Sequence, residues 1–448
     1  MDDLNEKTGV KLSVMLLPGK SYDLTKWSVV ACDQFTSQPE YWAAAAKTAG
    51  KSPSTLNLIY PEAFLNEDQK KKEERINGIN AAMKKYLESG VLAPLEPCFI
   101  YVDRKTAHVK SRKGLVLTVD LEKYDFSKGS QSLIRSTEKT VVERIPPRLK
   151  IREKATIELS HTMLLIDDPE KTVIEPLGKQ ADKMKLLYDF DLMQNGGHLK
   201  GYMAGKQEAA GALAALEKLA DPEAFRAKYG AGADKGVLLF AVGDGNHSLA
   251  TAKTHWENIK KTLSAKDTAG HPGRFAMVEV VNVHDSGLQF EPIHRIVFNV
   301  DCEKMLKEMT EHFEKNGMKA SFEIHDAIRR KRPKSRAGHA ISFIAQGKMG
   351  VLAVKNPKFN LAVGTLQDGL DAYAAAHPGT EIDYIHGNDV VQKLSNAKGN
   401  IGFLMPAMDK NELFRTVILE GTLPRKTFSM GEADEKRYYL ECRRITAI

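Results

Sequence analysis

The residues most able to do chemistry are Gly243-Asp244-Gly245-Asn246-His247-Ser248, between the apolar run Val237–Val242 and a helix expected over Leu249–Lys260. Glycine lets a backbone turn sharply and approach a ligand closely. N–H groups at a helix start, with the positive end of its dipole, suit an anion such as phosphate. Gly245, Asn246, His247 and Ser248 are therefore expected to bind phosphate, with His247 also a candidate for catalysis. Asp244 could hold a metal ion or accept a proton from a hydroxyl. The same pattern equally fits a plain strand-to-helix turn with a hydrogen-bonded histidine and Ser248 as N-cap.

Three further clusters offer polar groups. Cys32-Asp33-Gln34-Phe35-Thr36-Ser37-Gln38 puts a carboxylate, an amide and hydroxyls at an expected strand end, or serves as a helix cap. Arg135-Ser136-Thr137-Glu138-Lys139-Thr140, with Arg144 and Arg148 beyond it, could wall a phosphate with guanidinium groups or form surface ion pairs. Pro292-Ile293-His294-Arg295 sets an imidazole beside a guanidinium. Walker, dinucleotide, His-Glu-x-x-His and Gly-x-Ser-x-Gly patterns are all absent.

Elements of both kinds must position these groups. Strands are expected at Lys11–Leu17, Trp27–Ala31, Cys98–Asp103, Gly114–Asp120, Thr162–Ile166, Phe275–Val283 and Ile401–Met405, with a hairpin at Ala340–Ala345 and Gly350–Val354. Helices are expected after Pro39, after Asn66, and over Ala181–Met193, Gln207–Leu219, Glu303–Lys315 and Leu366–Ala375. The alternation predicts an α/β fold of mixed sheets with flanking helices. Soft boundaries divide it into an N-terminal lobe (1–230), a signature phosphate-site unit (231–300) and a C-terminal lobe (301–448), expected to interweave as one unit.

The 448 residues include 42% apolar and 27% charged side chains, an ordinary globular profile. Four dispersed cysteines argue against a disulfide framework or thiolate zinc site. With no secretory leader or long apolar run, a soluble, cytoplasmic protein without a membrane partner is expected. The net charge of +7 suits phosphorylated metabolites and nucleic acid alike and does not choose between them; nucleic acid is not expected because no helix-turn-helix or aromatic–basic surface is visible. The basic run Arg329–Arg336 reads as a solvated loop.

As an ordered set, several segments resemble the domain-of-unknown-function 1015 family. They are Cys32-Asp33-Gln34, Arg112-Lys113-Gly114, Asp120–Tyr124, Ser136–Thr140, Asp244-Gly245-Asn246-His247, Pro292–Arg295 and Leu423-Pro424-Arg425-Lys426-Thr427. The resemblance spans roughly residues 10 to 430. The common family turn is Asp-Gly-His-His-Arg; Asn246 and Ser248 depart from it and mark a divergent branch. Loss of that arginine shifts a phosphate role toward Arg144, Arg148, His294, Arg295 or Lys426.

The turn also resembles the nucleotide-phosphate motif of ParB/sulfiredoxin-like free-serine kinases, with Phe275–Val283 as the following strand. That resemblance implies a small-metabolite phosphotransferase, such as a free L-serine kinase or a phosphoserine-dephosphorylating enzyme. ATP, ADP or pyrophosphate would be co-substrate, Asp33 or Glu138 the base, and Asp244 the ligand of Mg²⁺. The alternatives are a non-catalytic phosphometabolite sensor and a nucleic-acid-associated binding protein.

Overall fold

Strands in the first half of the chain alternate between two apolar cores. The computed structural model describes residues 4–325 and 338–447, so the basic run Arg329–Arg336 lies outside the described residues. The strands of the main sheet used below are β1 (Phe99–Lys105), β2 (Arg112–Asp120), β3 (Ile134–Ser136), β4 (Met163–Ile166), β5 (Lys185–Asp191), β6 (His198–Ala204), β7 (Phe240–Asp244) and β8 (Phe275–Asn282). In β1, Phe99 and Tyr101 enter one core while Ile100 and Val102 enter the other; in β8, Val278 and Val280 oppose Met277. A strand buried on both faces reads as a continuous apolar run, as these do.

These strands lie in the order β5-β6-β1-β2-β8-β4-β7-β3. Pairing is parallel between β4 and β8 and between β7 and β3, and antiparallel between β4 and β7. The helices named in this unit are α1 (Pro39–Ala49), α2 (Gln69–Glu88), α3 (Ile145–Arg152), α4 (Lys206–Leu219) and α5 (Asn246–Lys260). Ala209, Ala212 and Leu216 of α4, with Leu249, Ala252 and Trp256 of α5, share the first core. Burying a large side chain of this kind contributes about 1.5–3 kcal/mol. Ile79 and Met83 of α2 share the second core with the small sheet Leu92–Pro94, Leu16–Pro18, Cys442–Arg444 and Ile157–Leu159.

The mixed α/β class is as expected, including the strand–turn–helix–strand unit β7–α5–β8. One expected helix is a strand. Within Ala181–Met193, Lys185–Asp191 pairs antiparallel with β6. Tyr188 and Phe190 are buried and Asp189 between them is exposed, a period of two. Gln194 and Asn195, both at positive φ, turn the chain back. Trp27–Ala31, an expected strand, contributes only an isolated bridge between Val30 and Arg437.

Contacts divide the chain into two units, Met1–Gln289 with Gly431–Ile448, and Phe290–Met430. Residues 231–300 are thus no separate unit: β7 pairs between β4 and β3, and β8 between β2 and β4. The C-terminal segment also returns to the first unit, where Cys442 pairs with Leu16 and Leu159.

The second unit contains β9 (Phe290–Phe298), α6 (Cys302–Lys315), β10 (Lys319–His325), β11 (Gly338–Ala345), β12 (Lys348–Lys355), α7 (Ala362–Ala376), β13 (Glu381–His386) and β14 (Ile401–Leu404). Its antiparallel sheet runs β10-β12-β11-β14-β9-β13, and Met309, Phe313, Leu366 and Leu370 of the helices pack on it. Asp301 caps α6, accepting from Lys304 N at 3.0 Å. Among the described residues no helix is long and apolar enough to cross a membrane.

Candidate functional site

Gly245 joins the end of β7 to the start of α5. Its φ is +80°, and a Cβ there would lie 2.7 Å from Thr162 Oγ1 and 2.9 Å from Thr162 Cα. Both the left-handed backbone and the close approach demand glycine. The β4–β7 register shifts between Met163 and Leu164, beside this turn; such irregularities re-aim side chains.

Helix α5 begins at Asn246 rather than Leu249, with Gly245 as N-cap and no side-chain cap bond. Ser248 is therefore inside the first turn and is not the cap. The first carbonyl taken up within the helix is Gly245 O, by Leu249 N at 3.0 Å. Helix geometry leaves the N–H groups of Asn246, His247 and Ser248 without intrahelical acceptors, at the positive end of the dipole.

His247 Nε2 accepts from Val141 N at 3.2 Å. Burial, then the Arg148 and Arg144 guanidinium groups, hold this imidazole down at about 4 against the opposing charge of Asp33. It is neutral near pH 7, and since Nε2 accepts, its proton is on Nδ1. Ser248 Oγ lies 3.0 Å from His161 Nε2, and the His161 ring meets Tyr438 edge-on with centroids 5.2 Å apart.

The turn Ala31–Gln34 docks on the C-terminal segment, where Ala31 N donates to Lys436 O at 2.7 Å. This carries Asp33 to the cluster. Arg148 of α3 donates from Nε to Glu62 Oε1 at 2.8 Å and sets Nη2 3.9 Å from Asp33 Oδ2. Burial alone would raise the Asp33 carboxyl; His161, the Gln34 hydrogen bond, Arg148 and Lys436 outweigh it and hold it below the ordinary range. Cys32 is no nucleophile, because burial, then the Asp33 charge, pushes its thiol up to about 12.

Arg148, Glu62, His161, Ser248 and Tyr438 line a cleft together with Leu58, Leu65, Met83 and Ile151. Arg148 Nη1, His161 Nδ1 and Asn246 Oδ1 are buried with no hydrogen-bond partner. Buried polar atoms are ordinarily paired, so these three keep hydrogen-bonding capacity for a further polar group.

Of the expected residues, the structure thus brings together Asp33, Arg148, Asp244, Gly245, Asn246, His247 and Ser248, with exposed Arg144 within electrostatic reach of His247. Glu138 is half-buried on the loop after β3. Three residues belong to the other unit. There His294, 1% exposed, accepts from Met405 N through Nδ1, and Arg295, fully buried, donates to Ile293 O and Arg425 O. Both thus bond main-chain atoms of their own unit. Lys426 is exposed at a positive φ of 53°. Arg135 is likewise structural, donating to Ser132 O and Gly236 O.

The expected metal role of Asp244 does not fit its surroundings. One carboxylate oxygen accepts from Gly245 N at 2.8 Å and the other lies 3.6 Å from Lys436 Nζ, a resident cation. Among the described residues no group of three or more His, Cys, Asp or Glu side chains could hold a metal.

Sequence reasoning missed Glu62, His161, Lys436 and Tyr438, which belong to none of the quoted motifs. His161 carried a faint signal, standing in Ser160-His161-Thr162 immediately before an apolar strand. Lys436 and Tyr438 are placed only by the return of the C-terminus.

The sequence matches the family described as "Protein of unknown function (DUF1015)" over residues 16–373. The chain belongs to the DUF1015 family. No curated protein matches it. Among solved structures, a conserved hypothetical protein from Pyrococcus furiosus aligns at 10% identity and TM-score 0.34, covering 74% of this chain and 95% of that one. A free serine kinase variant in complex with AMP aligns at 8% identity and TM-score 0.38, covering 77% and 95%. SbnI with a C-terminal truncation, from Staphylococcus aureus, aligns at 10% identity and TM-score 0.33, covering 70% and 82%. Overlap this loose carries nothing about the chemistry of this DUF1015 member.

Proposed function

We propose that this protein is a small-metabolite phosphotransferase whose phosphate site is the start of α5. The observation that carries the reading is that Arg148, His161 and Ser248 line one cleft at the start of α5, with His247 beside them within electrostatic reach of Arg148. The backbone donors and Arg148 hold the transferring phosphoryl group, while neutral His247 donates through Nδ1. A substrate hydroxyl oxygen forms the new bond to phosphorus, the bond from phosphorus to the donor's leaving oxygen breaks, and the hydroxyl proton passes to Asp33. The donor is ATP, ADP or pyrophosphate, and L-serine is the first acceptor to test. Positioning and charge neutralisation supply most of the acceleration in such transfers. No step is assigned to a metal held by Asp244.

The depressed Asp33 carboxyl favours a second reading, because a weak base suits binding better than proton abstraction. In that case the protein is a phosphometabolite sensor on the same cradle. Thermal shift with orthophosphate, pyrophosphate, ADP, ATP and phosphoserine tests the cradle; ligand at about a hundred times its Kd stabilises by roughly 2.7 kcal/mol. Shifts that vanish in Arg148→Met and His247→Ala support it, and none with any compound at millimolar concentration sinks it. Phosphorus NMR of the same mixtures with L-serine separates turnover from binding alone.

A further inference from the structure

Arg148 and Arg152 stand four residues apart on α3, and both line the cleft. That spacing sets their Cβ atoms about 5–6 Å apart on one helix face, where like charges repel unless anions lie near them. Arg148 has Glu62 at its Nε and Asp33 farther off. Arg152 has Glu158, whose Oε2 accepts from its Nη2 at 2.5 Å.

Glu158, however, is shared. Its Oε1 accepts from Arg443 Nε and from Met277 N, each at 2.9 Å. Two guanidinium groups thus stand on one carboxylate, and Glu158 and Arg443 are both buried. Arg443 spends donors at all three nitrogens, on Glu158, Pro272 O and Phe275 O. Arg152 is held at Nη2, while its Nε is buried without a partner. His255, lowered to about 4 by burial and then by Arg152, is neutral near pH 7 and adds no charge of its own. The positive charge left over therefore falls on the guanidinium that lines the cleft.

We infer that Arg152 is a specificity-determining residue, which receives a carboxylate borne by the phosphate ligand on a short carbon chain. The inference rests on the phosphate reading above and narrows its substrates to hydroxy acids and their phosphomonoesters. A carboxylate at Arg152 neutralises a half-buried charge that the fold leaves over, and such a charge is costly when unpaired. The planar fork of a guanidinium matches a carboxylate in shape as well as charge.

Two matched pairs test this by titration calorimetry at fixed pH and salt: ethyl phosphate against phosphoglycolate, and phosphoethanolamine against O-phospho-L-serine. The carboxylate should tighten binding about tenfold to a hundredfold in both pairs. In Arg152→Met that advantage should fall below about threefold. Arg152→Lys, which keeps the charge but loses the fork, should lower it part of the way and serves if the first variant does not fold. Equal affinities within either pair, or a carboxylate advantage undiminished in the folded variant, overturn the inference, while binding of ethyl phosphate keeps the phosphate reading. Binding of no phosphate compound overturns both.

Discussion

His161 Nε2 lies 3.0 Å from Ser248 Oγ, tying the segment that leads into β4 to the first turn of α5. Both residues line the cleft beside the helix start, so the bond fixes the orientation of the Ser248 hydroxyl there. A double-mutant cycle with His161→Ala and Ser248→Ala should give a coupling of about 0.5–1.5 kcal/mol in urea unfolding. Strictly additive losses would show that the two side chains do not meet in solution.

Gly245→Ala should be among the most damaging single substitutions in the turn. It meets a left-handed backbone and the Thr162 main chain together. The expected loss is about 2–4 kcal/mol, read as a lower urea midpoint at unchanged slope. A loss below about 0.5 kcal/mol would mean that the turn relaxes freely.

The pH dependence of stability should carry a signature of His247. Burial, Arg148 and Arg144 lower its folded value to about 4, against about 6.5 when unfolded. A histidine held neutral contributes nothing adverse above pH 6.5, where both states are neutral. Below that the unfolded chain binds a proton that the folded one refuses, so stability falls with pH between 6.5 and 4. Allowing for partial exposure, the loss is about 1–2 kcal/mol. His255, also lowered to about 4, acts in the same window. His247→Gln should flatten part of the thermal-denaturation profile there, and an unaltered profile would refute the assignment.

Arg148 is held chiefly by Glu62, with Asp33 farther off. Arg148→Met should cost about 2–3 kcal/mol, because two half-buried carboxylates lose their cation. Adding Glu62→Gln should return about 1 kcal/mol of that stability without restoring phosphate binding. Recovery of both together would assign Arg148 to the fold alone.

Much of the first unit was legible because its signals are local. Phe275–Val283 and Cys98–Asp103 are too apolar and β-branched to be anything but buried strands, and β8 and β1 stand where they predict. The Asp-Gly-Asn-His turn was legible because glycine is needed at a left-handed helix start. Lys185–Asp191 was misread because its alternation of Tyr188 and Phe190 is short and mixed with residues that favour helices. For His294 and Arg295, residue type alone does not say whether a side chain meets a ligand or main chain; Arg295 donates to Ile293 O and Arg425 O.

By itself the sequence determined the mixed α/β class, the strand-to-helix turn at Gly245 and the family. These depend on spacings of a few residues, which periodicity and backbone sterics read directly. The tertiary structure alone decided which charges surround that turn. Asp33 reaches Arg148 because Ala31 bonds to Lys436, and His161 reaches Ser248 because β4 pairs with β7. Such meetings are set by the ladder order of a sheet and the docking of a C-terminus, long-range pairings with no local trace in the chain.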